Sequence, residues 1–221
     1  NDFAELVDIC HENDMKVIID GVFNHCGWNF FAFDDVVRNG ENSKYKNWFY
    51  HLQFPVERPE DPETYPTYEC FGYERMMPKT NTCNPEVQEY FCEVGRYWVR
   101  EFDIDGWRLD QAYQVPPAVW TEIRTAVEAA AKARKDAGEE WGTFGHMVGE
   151  VWDSAGTIAE KAYGSKTASP ALKSAFNFPL RYGVVHALAV GEWKDGGDAT
   201  HLNTSWNSID NYPLYAMPNL M

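Results

Sequence analysis

Apolar residues along the chain alternate between helical spacing and short unbroken runs, and that alternation outlines the fold. Phe3, Leu6, Val7 and Cys10 sit at helical spacing within residues 2–13. Met15-Lys16-Val17-Ile18-Ile19-Asp20 follows, a short apolar run ending in a carboxylate that suits a strand buried on both faces. From about 24 to 83 neither period persists, and a stretch that long implies a folded insertion or subdomain. Asn84 and Pro85 then supply an N-cap and a first helical residue. Val87, Tyr90, Phe91, Val94, Tyr97 and Trp98 continue a helical stripe. Residues 105–110 predict the next strand, again closing on a carboxylate. Pro116 and Pro117 open another helix, with Trp120, Ile123 and Val127 on one face, which fades into the charged stretch 132–140. Residues 146–151 and 174–178 predict a third and a fourth strand.

Strand and helix in alternation imply an α/β fold on a parallel sheet. Three successive strands with polar, catalytic-type residues at their ends favour a (β/α)8 TIM barrel, which places its active site at the C-terminal ends of its strands. The runner-up is a doubly wound open sheet, but the chain lacks the glycine-rich phosphate loop of that fold.

Composition narrows the function by exclusion. The 221 residues carry a net charge of −15 and no basic stripe, which argues against a nucleic-acid partner. No run of 18 or more apolar residues exists, so no membrane span is expected. Five cysteines (Cys10, Cys26, Cys70, Cys83, Cys92) form no C-x-x-C pair and no zinc spacing. The odd count favours free or buried thiols in a reducing compartment, with a Cys70–Cys83 bridge as the alternative. The expected localisation is therefore cytoplasmic rather than secreted.

The chemistry gathers at the strand ends. In Gly106-Trp107-Arg108-Leu109-Asp110, residues two apart share a face, so Arg108 and Asp110 point the same way. An arginine beside a carboxylate keeps it ionised and oriented, as a nucleophile requires. The pentapeptide alone fits a structural Arg–Asp pair equally well. Glu150, in Gly149-Glu150-Val151-Trp152, ends the following strand. On neighbouring strands about 4.8 Å apart, the two carboxyls would approach the ~5–5.5 Å separation of retaining glycosidases. A carboxyl beside an ionised one keeps its proton more readily, which suits Glu150 to the acid role. Asp20 ends the first strand and can accept from Arg108, and His25 just beyond can donate to a sugar hydroxyl. The remaining histidines, His11, His51, His146, His186 and His201, have no expected role.

The blocks DGVFNH, MPKTN, DGWRLD and GEVW stand in the order and approximate spacing of the α-amylase superfamily of glycoside hydrolases, which the chain resembles over nearly its whole length. The resemblance implies a partial (β/α)8 barrel, about strands 3 to 6. Residues 1–23 and 84–221 would form the incomplete catalytic barrel, with 24–83 as the inserted domain B. It implies Asp110 as nucleophile, Glu150 as acid/base, Arg108 as the positioner of Asp110, His25 as a sugar contact and Asp20 as the partner of Arg108. Asn24 matches a position that binds calcium in many amylases. No companion ligands are identifiable, so calcium is left open and no cofactor is required. The third carboxylate of the family, in an Asn-His-Asp block, is absent from these residues, so this chain alone is expected to be inactive and to fold poorly.

Met77-Pro78-Lys79-Thr80-Asn81 and the stretch 33–49 are similar to neopullulanases, cyclomaltodextrinases and maltogenic amylases. That similarity implies maltooligosaccharides, cyclodextrins, starch or pullulan as substrates, and leaves open a homodimer of the full-length protein. The chain departs from that group after Asp110, where Gln111-Ala112-Tyr113-Gln114 replaces the usual VANE and no Lys-His pair is present. Eight aromatics between Trp28 and Tyr50 exceed what packing needs, so one or two, and Trp152 with them, are candidates for stacking on glucose rings. The competing readings are a transglycosylase with the same glycosyl-enzyme intermediate and a non-catalytic relative that keeps the fold for binding.

Overall fold

The computed structural model describes residues 2–61, 63–164, 170–188 and 199–212. Helix α1 (Asp2–Glu12) leads into strand β1 (Ile18–Gly21), followed by helix α2 (Phe31–Asn39) and the short strands β2 (Cys70–Phe71) and β3 (Glu74–Pro78). Helix α3 (Pro85–Phe102), strand β4 (Gly106–Leu109), helix α4 (Pro117–Asp136) and strand β5 (His146–Gly149) continue the alternation. A short helix α5 (Ala155–Ile158), strand β6 (Ser174–Ala175) and helices α6 (Phe178–Leu188) and α7 (Ala199–Asn207) complete the described elements. Strands β1, β4, β5 and β6 form one parallel sheet in that order, and β2 pairs with β3 antiparallel.

Local chemistry explains the boundaries. Asn84 caps α3 by accepting from the Glu86 amide, with Pro85 in the first turn, and Asp103 ends the helix at φ 61°. The strands are shorter than the apolar runs suggested. The run at 174–178 divides, because Phe178 already begins α6. Among the described residues strand β1 is not covered on both faces, and Ile18 is 40% exposed. Ile18 and Asp20 share the inner face of the sheet, and among the described residues the open sheet leaves that face of its edge strand uncovered.

The outer face of the sheet carries the core. Trp107 and Leu109 of β4 are buried against α3 and α4, which supply Val87, Phe91, Val99, Trp120, Ile123 and Val127. Phe23 packs its ring against Phe91, Trp107 and Trp120. The two helices approach closely at Gly95, where a Cβ would stand 2.9 Å from Val127 Cγ2. His11, expected to have no role, is buried and bonds Asp105 at 3.0 Å while stacking on Trp141. It ties the end of α1 to the start of β4. All five cysteines are free, so the alternative Cys70–Cys83 bridge is not formed. No helix among the described residues is long and apolar enough to cross a membrane.

Gly106 sets the β4–β5 spacing, because a Cβ there would lie 2.2 Å from the His146 carbonyl oxygen. Gly106→Ala should therefore destabilise by about 1–3 kcal/mol through forced strand separation. Gly156→Ala, where only Ser154 Oγ lies as near as 3.9 Å, should be neutral or stabilising. Urea midpoints of the two variants check this, and a Gly106→Ala midpoint equal to wild type would contradict it.

Candidate active site

Parallel register brings the strand ends together. Asp20 stands opposite Arg108 and Leu109 opposite Gly149, so Asp110 and Glu150 follow side by side. Backbone bonds continue past the strands, from Asp110 N to Gly21 O at 3.1 Å and from Glu150 N to Leu109 O at 2.9 Å. The two carboxyls are thereby fixed relative to each other by main chain, not by loops.

Arg108 joins three carboxylates. Its Nη1 donates to Asp20 Oδ1 at 2.8 Å and to Asp110 Oδ1 at 2.9 Å, while its Nη2 pairs with Glu150 Oε1 at 2.6 Å. The Arg108–Asp20 and Arg108–Asp110 contacts match the sequence expectation; the Arg108–Glu150 pair was not foreseen. Burial opposes the charge of Arg108, but its bond to Asp20 and the charges of Glu150 and Asp20 raise its pKa above the ordinary value. The guanidinium thus stays protonated. Glu150 also accepts from the Gln111 amide, Oε2 at 3.2 Å, which Gln111 presents from a left-handed backbone at φ 47°.

His25 approaches from the other side. It is buried, its Nε2 lies 3.9 Å from Asp110 Oδ2, and its ring stacks on Phe71 at 4.6 Å. The 77–81 block explains its placement. Cys26 N donates to Pro78 O at 2.9 Å, Thr80 N to Asn24 O at 3.1 Å, and the Thr80 hydroxyl to Phe23 O at 2.6 Å. His25 itself pairs with Lys79 in an isolated antiparallel bridge. Burial pushes the His25 imidazole below the ordinary histidine value, with the charge of Asp110 pulling the other way. The Cys26 thiol is pushed up to about 12 by burial, which makes it unreactive.

Asn24, which matches a calcium-binding position by resemblance, is 1% exposed. Calcium takes about six to eight oxygen ligands. Among the described residues no group of three or more His, Cys, Asp or Glu is clustered to hold a metal. The Asn24 amide nitrogen is already engaged with Gln114 Oε1 at 3.2 Å.

The aromatics mostly pack. Phe33, Trp48 and Phe49 are buried, and of the eight only Phe31 is largely exposed. Trp152, two residues beyond Glu150, is 61% exposed and lies flat against Phe178 at 5.3 Å, so it presents a ring beside the site. Among the other histidines, His51 pairs with Glu69 at 2.7 Å and His146 stacks on Phe144 at 5.1 Å.

The chain is similar in sequence and in fold to known proteins. Residues 1–194 match the family model described as alpha amylase, catalytic domain. A maltogenic alpha-amylase of Bacillus acidopullulyticus is 52% identical over 137 residues, covering 62% of this chain and 23% of that protein. A cyclomaltodextrinase of Thermoanaerobacter pseudethanolicus is 41% identical over 191 residues, covering 84% of this chain and 28% of that protein. A solved cyclomaltodextrinase structure superposes with a TM-score of 0.73 at 34% identity, over 97% of this chain and 32% of that one. The chain spans about a quarter of the length of these curated relatives.

Burial lowers the pKa of both His25 and His146. The unfolded chain therefore binds more protons than the folded one as pH falls below about 6.5. Their contribution to stability is fully present above that pH and is lost as pH drops through the lowered folded values. His146→Gln should flatten the acid limb of a Tm-against-pH curve. Parallel curves for wild type and variant would contradict this.

Proposed function

The chain belongs to the alpha-amylase catalytic-domain family, and from that premise we propose that it carries the catalytic pair of a retaining glycoside hydrolase acting on α-1,4-linked glucans. The single observation behind this reading is the guanidinium of Arg108 shared by Asp20, Asp110 and Glu150 at the ends of adjacent parallel strands. Two carboxyl groups at one planar cation stand close together, which suits attack by the ionised one and, once the other holds a proton, proton donation by it on the same glycosidic bond.

In this reading Asp110 attacks the anomeric carbon while Glu150 gives its proton to the departing glycosidic oxygen. A covalent glycosyl-Asp110 ester results, with the leaving sugar released as an alcohol. Glu150, now ionised, takes a proton from water, and the resulting attack on the anomeric carbon frees Asp110. Arg108 holds both carboxyls and keeps Asp110 aimed, with Asp20 holding Arg108 in turn. His25 donates to a hydroxyl of the sugar being cleaved, beside Asp110. Residues 1–23 and 84–221 act as part of a (β/α)8 barrel, about strands 3 to 6. Residues 24–83 act as the inserted domain B, whose 77–81 segment supports His25. The names of the relatives favour maltooligosaccharides and cyclodextrins over long starch.

In the complete enzyme, Asp110→Asn and Glu150→Gln should each lower kcat by roughly a thousandfold or more, with substrate binding largely kept. Activity within tenfold of wild type in either variant would remove the assignment. Close placement of the two carboxyls also predicts net retention. Proton NMR of the earliest product from an α-linked substrate should show the α-anomer first, and a β-anomer first would contradict the geometry.

A further inference from the structure

Behind His25 the polar side chains form a continuous chain of contacts. Gln114 Nε2 donates to Gln111 Oε1 at 3.4 Å and to the Tyr113 hydroxyl at 3.3 Å. Gln114 Oε1 accepts from Asn24 Nδ2 at 3.2 Å, and the same amide nitrogen lies 3.4 Å from His25 Nδ1. Asn24 is 1% exposed, so its amide has little access to water as an alternative partner. A carboxamide nitrogen carries two hydrogens and can serve both acceptors. A neutral imidazole has one donor and one acceptor nitrogen, and which is which follows from the partner of either one. With Nδ1 accepting from Asn24, the ring proton sits on Nε2. That nitrogen faces Asp110, and at 3.9 Å from Oδ2 it is too distant to bond it directly. Its N–H is therefore free for a ligand placed beside Asp110. Phe71, stacked on the ring at an interplanar angle of 9°, opposes rotation to another orientation.

We propose that Gln114 is a positioning residue that acts through Asn24: it holds the Asn24 amide with its N–H on His25 Nδ1 and so fixes His25 as the Nε2–H tautomer, a donor toward the substrate. This deepens, and rests on, the reading of His25 as a sugar contact. Gln114 touches no substrate in this account. The link to Gln111 matters because Gln111 also donates its backbone N–H to Glu150, so one chain of polar contacts runs from Glu150 to His25. Reversal of all three carboxamides would build the mirror network and put the proton on Nδ1. The two networks respond oppositely to substitution at 114. A glutamate there only accepts, which preserves the first arrangement and breaks the second.

The test is a two-bond proton–nitrogen correlation spectrum of the complete protein labelled with nitrogen-15 histidine, with His25 assigned by its loss in His25→Gln. Wild type and Gln114→Glu should show His25 as the Nε2–H tautomer, and Gln114→Ala should show a mixture or the Nδ1–H form. Asn24→Asp, which presents only acceptors to Nδ1, should convert the ring to Nδ1–H, and Gln114→Leu, closer in volume to glutamine, takes the place of Gln114→Ala should that variant fail to fold. An Nδ1–H ring in wild type, or an unchanged tautomer on removal of the Gln114 carboxamide, overturns the proposal. On maltotriose, kcat/KM should fall about tenfold in Gln114→Ala and stay within about twofold in Gln114→Glu, the scale of one hydrogen bond. Inactivity of the wild type on every α-glucan would instead refute the glycosidase reading, while the tautomer spectra would still decide the role of Gln114.

Discussion

One cation shared by three carboxylates is the constraint around which the rest of the structure is arranged. Arg108 reaches Asp20, Asp110 and Glu150, each delivered by a different strand. Removing the guanidinium would leave three acidic groups crowded at the C-terminal ends of adjacent strands with no cation between them. The cation therefore has a structural part. It makes a dense acidic cluster tolerable in a chain that already carries a net charge of −15.

Such a cluster needs strands that arrive together and in register. Parallel pairing places Asp20 opposite Arg108 and lets Asp110 and Glu150 continue from the paired residues Leu109 and Gly149. Gly106 permits the close approach of β4 to β5, and the buried His11–Asp105 pair anchors the start of β4 to α1. Beneath the sheet, Phe23, Trp107 and Trp120 lock β1 and β4 onto α3 and α4. Arg108 and the acidic groups it joins rest on rigid elements, which is what positioning within a fraction of an ångström demands.

The segment between β1 and α3 completes the site by a different device. Its far end returns to the residues directly after β1, and the contacts made by Pro78, Lys79 and Thr80 fasten Asn24, His25 and Cys26. His25 is thus held by main chain on one side, by the Phe71 ring on another and by the Asn24 amide at Nδ1. Its burial, which lowers its pKa, follows from the same enclosure.

Periodicity and end residues were enough to reveal the alternating elements, the cap at Asn84 and the strand-end carboxylates Asp20, Asp110 and Glu150, because these depend on neighbours two to four residues away. The period-2 rule likewise placed Arg108 and Asp110 on one face. Contacts between residues far apart in the chain were not legible in that way. The pairing of Glu150 with Arg108, the bond of His11 to Asp105 across 94 positions and the Thr80 bond to Phe23 across 57 depend on which strands become neighbours and how a long connection folds back. Whether β1 is covered on both faces likewise depends on which elements lie beside it, which its apolar run does not specify. His11 and Gln114 gave no local signal at all, because a single polar side chain acquires its role only from the partner that tertiary packing brings to it.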